Sequence, residues 1–383
     1  MPGSNYVVNG DVVFPTGTQK AHIVISDGLI SDLVFGDYPV GFNGESVLDA
    51  SGMYVCPGFI DIHTHGALGH NFMDSRNEAN DKIATFHNKH GTTSLLGTLE
   101  CGDLNAMHHA VEVLKERSQP SIIGIHAEGP FLNPARKGAQ NADHIIEPSV
   151  AALNELVDND YEELKLMTIA PEMPGADDVI DILRSHQVVV GLGHSDATYD
   201  EAMVSLKRGV SHFIHTFNAM RGFHHRDPGA VGAALTTDYC TAELIADGIH
   251  VHPKAMRVLR TCKGPHGVCL ITDSISAVGL EDGVYTSLVD QDVVVDKGVC
   301  RLRDGTLAGS TLTMERAIRN YSDMSGAPLY EAVAAATLVP ARILGMDDRK
   351  GSIAIGKDAD ITLLDGSWNV RLTMLGGSVV YKS

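Results

Sequence analysis

Between Val188 and His215 the chain reads VVVGLGHSDATYDEAMVSLKRGVSHFIH, and this stretch holds one complete structural unit. Val188–Leu192 is an unbroken apolar run of strand length, with His194 just beyond its end. YDEAMVSLKRG follows, and its apolar residues recur at three and four positions, the period of an amphipathic helix. A second apolar run, His212–His215, again closes on a histidine. Continuously hydrophobic strands separated by amphipathic helices are the pattern of a parallel sheet buried on both faces, so the unit reads as strand, helix, strand.

The same texture repeats along the middle of the chain. Strand-length runs stand at Phe59–His63, Ser94–Leu99, Ile122–His126, Leu164–Ile169, Val188–Leu192, His212–His215, Ala242–Ile245 and Val268–Thr272. Segments such as EANDKIATFHNKHG, NAMHHAVEVLKER and DDVIDILRSHQ between them carry helical spacing. Eight such units predict an α/β fold of the TIM type, a (β/α)8 barrel. Outside it the pattern changes. From Tyr6 to about Leu48, and again after about Gly345, short alternating segments are broken by Gly, Asp and Pro, which is the signature of antiparallel strands and tight turns. The expectation is therefore a small β-sandwich domain built from both termini, residues 1–57 and 346–383, around a barrel spanning residues 58–345.

Polar residues fall at the ends of the runs. They are His63 and His65 in FIDIHTH, Glu128 after IIGIHA, His194, His215, Asp247 after LIA and Asp273 after LIT. In a barrel all these ends meet at the C-terminal face, so residues far apart in sequence would surround one point. An H-x-H triplet alone means little among nineteen histidines, and His250-Val251-His252 is a second one. Position separates them, because His63 and His65 follow a strand in which alternate residues project to the same side. Glu128 taken singly would read as a helix cap or an ion pair with Arg136 or Lys137, and His194 and His215 as ordinary core histidines. Together they form an imidazole and carboxylate set suited to a catalytic divalent ion with an open position. Zinc fits first; iron, manganese and cobalt accept the same donors. Asp273 supplies the base that hydrolysis by activated water needs.

Composition excludes other roles. With 48 acidic against 29 basic residues and a formal charge of −19, neither nucleic acid nor an anionic membrane surface is expected as a partner. Cys56, Cys101, Cys240, Cys262, Cys269 and Cys300 form no C-x-x-C pair, and most lie in apolar runs, as reduced buried thiols do. The first residues show no basic segment followed by an apolar one, and no stretch reaches membrane-span length, so a cytoplasmic protein is expected.

The motifs PGFIDIHTHG, HAEGPF, APE, GHSDAT, HTFNAM, DPGAVG, ADGIHV, TDS, GSTLTM, ATLVPAR and GSIAIGKDADI occur in this order over essentially the whole chain. In them the sequence resembles the amidohydrolase superfamily and, within it, the N-acetylglucosamine-6-phosphate deacetylases. The resemblance implies metal-dependent hydrolysis of N-acetylglucosamine 6-phosphate to glucosamine 6-phosphate and acetate. It implies that Glu128, His194 and His215 hold the principal ion, that His63 and His65 contribute to a second, and that Asp273 both joins the metal ligands and acts as the general base and then acid. One or two ions per subunit follow. For the sugar phosphate it implies Ala139, Gln140, Asn218, Ala219, Arg226 and His250, with Arg226 and His250 reaching across a homodimer interface. Gln140 stands where other members often carry a histidine, which leaves the choice between gluco and galacto substrates open. Deacetylation of N-acetylgalactosamine 6-phosphate is the nearest alternative, an N-acyl-amino-acid deacylase or cyclic-amide hydrolase a more distant one. A non-catalytic interaction barrel would have no need to keep this whole set of side chains.

Overall fold

The computed structural model describes residues 5–36, 47–287 and 291–383. Parts of the expected terminal β region, residues 1–4 and 37–46, lie outside the described residues. The eight expected runs are the eight strands of one sheet whose neighbours follow sequence order: Phe59–Thr64, Thr92–Leu99, Ile122–Glu128, Leu164–Ile169, Val189–Leu192, His212–Phe213, Thr241–Ile245 and Val268–Ile271. Every adjacent pair is parallel. The first and last strands are joined where they end, His63 accepting a backbone bond from Asp273 at 2.9 Å and Ser274 accepting one from His65 at 2.8 Å. The barrel is thereby nearly closed, and its strand ends converge.

The opening stretch shows how local sequence makes this geometry. Thr198 caps the helix Tyr199–Arg208 by accepting from the Glu201 N–H, while Glu201 accepts from the Thr198 N–H at 2.8 Å, a reciprocal capping box. Gly209, at φ 118°, ends it. Gly191 and Gly193 of VVVGLGH make room for the neighbouring strand: a Cβ on Gly191 would overlap Ile214, and one on Gly193 would lie 2.7 Å from the Ile214 Cβ. Ile214 fills that space fully buried, together with Leu166, Val190 and Leu192. Truncating such a side chain to alanine costs about 2–5 kcal/mol.

Both termini meet in one eight-stranded sheet, which includes Asn5–Phe14, Gly17–Ser26, Tyr54–Pro57 and Ile361–Leu364. Its branch point lies in Asn5–Phe14. Tyr6–Val8 pairs with Val47–Asp49, and Asp11–Val12 pairs with Tyr54–Val55, with a register shift between Val7 and Gly10. Such a bulge bends a strand so that its two halves serve different partners. The sheet folds on its own cluster of Val12, Ile23, Ile30, Val55, Ile361 and Leu372.

One element was not expected. Within residues 58–345 the chain leaves the eighth strand and makes a three-stranded antiparallel meander, Gly283–Ser287, Gln291–Asp296 and Val299–Leu302, before the helix Met314–Ser325. Val293, Val295, Cys300 and Leu302 face a separate small core with Ile275 and Ala308, against which Ala139 packs. The cysteine expectation also needs one change. Five of the six are buried, but Cys262, in the last turn of Pro253–Lys263, is exposed. No helix among the described residues is long and apolar enough to cross a membrane.

Candidate metal centre and cavity

At the C-terminal ends of the strands the polar run-ends come together around Glu128. Its Oε1 lies 2.9 Å from His215 Nε2, 3.1 Å from His194 Nε2 and 3.4 Å from His63 Nε2, and its Oε2 lies 3.4 Å from His65 Nε2. Asp273 Oδ1 is 3.3 Å from His65 Nε2 and 3.6 Å from His63 Nε2. Two ligand triads share the carboxylate, His63/His65/Glu128 and Glu128/His194/His215, each with its donor atoms within 4.8 Å of one another. The alternative partners for Glu128 are engaged elsewhere: Arg136 pairs with Asp196 at 2.7 Å, and Lys137 donates to the carbonyls of Gly138 and Gln140.

Three of these residues reach the cluster through unusual backbone. His194, His215 and Asp273 have φ of 46°, 29° and 47°, the left-handed region that residues with a Cβ seldom adopt. Such strain costs about 1–3 kcal/mol per residue and persists where surrounding structure imposes it, commonly at functional sites. Here it turns three side chains inward just past three strand ends.

The donor set fits a divalent cation. His194 Nδ1 faces the Arg136 carbonyl at 2.9 Å, so that nitrogen carries the proton and Nε2 presents its lone pair. That lone pair stands 3.2 Å from His215 Nε2, a repulsive contact unless a proton or cation lies between the rings. His63 Nε2 is fully buried with no directed hydrogen bond. Charge tells the same story. Burial would lower the basicity of His63, yet Glu243, Glu128 and Asp273 outweigh it and raise its pKa well above the ordinary value. Burial is likewise overcome at His65, which its bonds to Asp273 and Glu128 push up to about 9. Glu128 and Asp273 are held below the usual carboxylate range against burial, chiefly by the charge of His63. A dication displacing those ring protons would satisfy the same carboxylates.

Beside the cluster opens a cavity of about 220 Å³, the scale of a small molecule, lined by His65, Glu128, His194, His215 and Asp273. Gly138, Ala139, Gln140, Asn218, Ala219 and His250 complete its wall with Ile275, Thr306, Leu307 and Gly309. Gln140 accepts from the Cys101 N–H at 3.1 Å, which orients its amide, and it donates to Glu128 Oε2 at 2.7 Å. His250 Nδ1 bonds Asp247 Oδ2 at 2.6 Å, and Asp247 Oδ1 also accepts the N–H groups of Ile249 and His250.

Most of the expected site residues therefore meet at one cavity, with two differences. His250, expected to be contributed across a subunit interface, lines the cavity of its own chain, where Asp247, just past the end of the seventh strand, holds its ring. Arg226 does not line the cavity. It is exposed, and it forms no ion pair with Asp227; its backbone N–H bonds His224 Nδ1 at 3.3 Å, while Arg221 approaches Asp227 at 3.9 Å. The sequence reading missed the wall at Thr306–Gly309, for which TLAG offers no chemical signal. It also missed Glu243, whose carboxylate inside the apolar run TAELI is a legible anomaly.

Residues 54–380 match the amidohydrolase family. The N-acetylgalactosamine-6-phosphate deacetylase of Escherichia coli O157:H7 is 37% identical over 360 residues, covering 93% of each protein. The N-acetylglucosamine-6-phosphate deacetylase of Bacillus subtilis strain 168 is 35% identical over 375 residues, covering 95% of this chain and 94% of the relative. Among solved structures, a mutant N-acetyl-D-glucosamine-6-phosphate deacetylase of Mycobacterium smegmatis in complex with N-acetyl-D-glucosamine 6-phosphate superposes with a TM-score of 0.93 at 32% identity, covering 99% of this chain and 100% of that one.

Proposed function

Because the chain belongs to the amidohydrolase family, we propose that its cavity hydrolyses N-acetyl-D-glucosamine 6-phosphate to D-glucosamine 6-phosphate and acetate. The observation that carries this reading is the convergence of Glu128, His194, His215, His63 and His65 with Asp273 at the mouth of one small cavity. Glu128, His194 and His215 would hold the principal divalent ion, and His63 and His65 with Glu128 a second; zinc suits the donors, and iron, manganese or cobalt could replace it. When bound, the ion supplies Lewis-acid polarisation of the acetyl carbonyl and makes water acidic enough to attack it at neutral pH.

Asp273 moves the proton. Its carboxyl is held below the usual range, so it is ionised at neutral pH and can take a proton from the attacking water. A bond forms between the water oxygen and the acetyl carbon; the carbon–nitrogen bond then breaks, and Asp273 returns the proton to the leaving amine. Acetate and a free amine result.

At the sugar-phosphate end, Asn218, Ala219 and His250 border the cavity and are read as substrate contacts, with Ala139 and Gln140 near the sugar. Arg226 is read as a phosphate ligand presented to the neighbouring subunit of a homodimer, where a guanidinium fork suits three phosphate oxygens. The protein is read as cytoplasmic, with residues 1–57 and 346–383 forming a domain apart from the barrel of residues 58–345. Acetate release from N-acetylglucosamine 6-phosphate by metal-loaded protein tests the reading; no release, with metal bound, would end it. A galacto-epimer reading is supported by the 37% identical relative, and kcat/KM on both epimers separates the two.

A further inference from the structure

Glu243 belongs to none of the motifs that point to the cluster, yet it touches two of its members. It lies on the seventh barrel strand, Thr241–Ile245, and is fully buried. Its Oε2 sits 3.0 Å from His63 Nδ1 and accepts the backbone N–H of His215 at 2.8 Å. Its Oε1 meets His212 Nε2 at 3.1 Å, and His212 Nδ1 in turn meets Thr241 Oγ1 at 2.6 Å.

An ionised carboxylate only accepts hydrogen bonds, so His63 Nδ1 must carry a proton. The lone pair of the neutral ring is then confined to Nε2, the buried atom that faces Glu128 Oε1 and Asp273 Oδ1. The same Oε2 holds the amide of His215, whose φ of 29° needs support from its surroundings. One carboxylate thus reaches both triads through atoms that do not themselves face Glu128. Packing alone gives no reason for it, since an apolar side chain of similar volume would suit this interior without desolvating a charge.

We propose that Glu243 is a positioning residue that fixes the ring tautomer of His63 and the backbone of His215 and, through its negative charge behind the His63 ring, strengthens that ligand and so sets the affinity of the cluster for a divalent cation. The proposal rests on the reading of Glu128, His63 and His215 as ligands, and its test keeps the two apart. Glu243→Gln is the informative variant. The amide oxygen can still accept from His63 and His215 while its NH2 donates to His212, so shape and bonding survive and only the charge is lost. A purely structural role would leave zinc affinity unchanged in this variant.

Metal-stripped wild type, Glu243→Gln and His63→Ala are titrated with zinc against a chromophoric chelator, and each is melted without zinc. The expected result is a wild-type melting curve for Glu243→Gln with zinc affinity weakened by about 10–100-fold, the usual effect of removing a partner behind a ligand. Wild-type affinity in Glu243→Gln, with zinc lost in His63→Ala, overturns the role of Glu243 alone. Undiminished zinc in both overturns the ligand reading itself. A measurement on the intact protein covers a variant that fails to fold. In zinc-loaded wild type with ring-15N histidine, the resonance absent from His63→Ala must report Nδ1–H with Nε2 unprotonated; an Nε2–H tautomer overturns the proposal directly.

Discussion

At the strand ends the ligand cluster is built wholly within one chain, with each side chain buried and several held by a second partner, as Arg136 O holds His194 and Glu243 holds His63. On the proposed reading, the phosphate end of the cavity is only half built in the same chain, because Arg226 would come from a neighbouring subunit. His250 is tied to Asp247 and borders the cavity, whereas Arg226 lies exposed outside it. The proposed function accounts for the difference. Moving a proton between water and an amine needs atoms held near contact distance, which a packed barrel supplies. Recognition of a phosphate needs charge at the right place, and a long flexible arginine can bring that from a second subunit.

The largest effects should come from breaking the buried end. Glu128→Ala removes the one carboxylate common to both triads, so it should abolish metal content and acetate release together; full metal occupancy by elemental analysis would contradict the shared-ligand geometry. Asp273→Asn should separate the two properties. Metal should remain, because Glu128, His194 and His215 are untouched, while kcat falls roughly 10²–10⁴-fold for want of a proton carrier. Near wild-type turnover in the metal-loaded variant would remove Asp273 from the chemistry.

Breaking the exposed end should act on binding. If Arg226 binds phosphate as proposed, Arg226→Ala should lose a charge-assisted bond worth about 1.5–3 kcal/mol, which is roughly 10–100-fold in kcat/KM. The loss should fall on phosphorylated substrate and leave unphosphorylated N-acetylglucosamine unchanged. Mixing Arg226→Ala with Asp273→Asn subunits sharpens the comparison. In a mixed dimer one cavity combines an intact Asp273 with an arginine from the partner, and activity should return above that of either variant alone. Heterodimers without recovery would confine Arg226 to its own chain or exclude it.

The barrel was legible because its strands are apolar runs and each reactive residue stands at the end of one or just past it, so spacing alone gathered His63, Glu128, His194, His215 and Asp273. The meander after the eighth strand was missed for a different reason. VVVDKGVCRL alternates around a turn as any hairpin does, but the eight-unit count was complete and the segment was absorbed into the barrel. Backbone conformation was beyond reach: nothing in GHS, IHT or TDS announces three left-handed residues, which tertiary packing imposes. Glu243 is visible in the sequence as a charge inside an apolar strand, but its role is interpretable only once His63 and His212 are known to face it.

The smallest effect should come from loosening that local half of the phosphate end. Asp247 does two jobs: its Oδ1 accepts the N–H groups of Ile249 and His250, shaping the turn, and its Oδ2 orients the His250 ring. Asp247→Asn keeps the first, because an amide oxygen accepts equally well. It changes the second, since the amide NH2 must donate to Nδ1, which fixes His250 as the neutral Nε2–H tautomer. That ring can still donate one hydrogen bond to phosphate, but it no longer has a carboxylate behind it, so the bond is weakened and not lost. The expected outcome is a rise in KM for phosphorylated substrate of about 3–10-fold, smaller than that of Arg226→Ala, with kcat and thermal stability nearly unchanged. A fall in kcat with unaltered KM would instead tie His250 to the buried end and dissolve the contrast between the two.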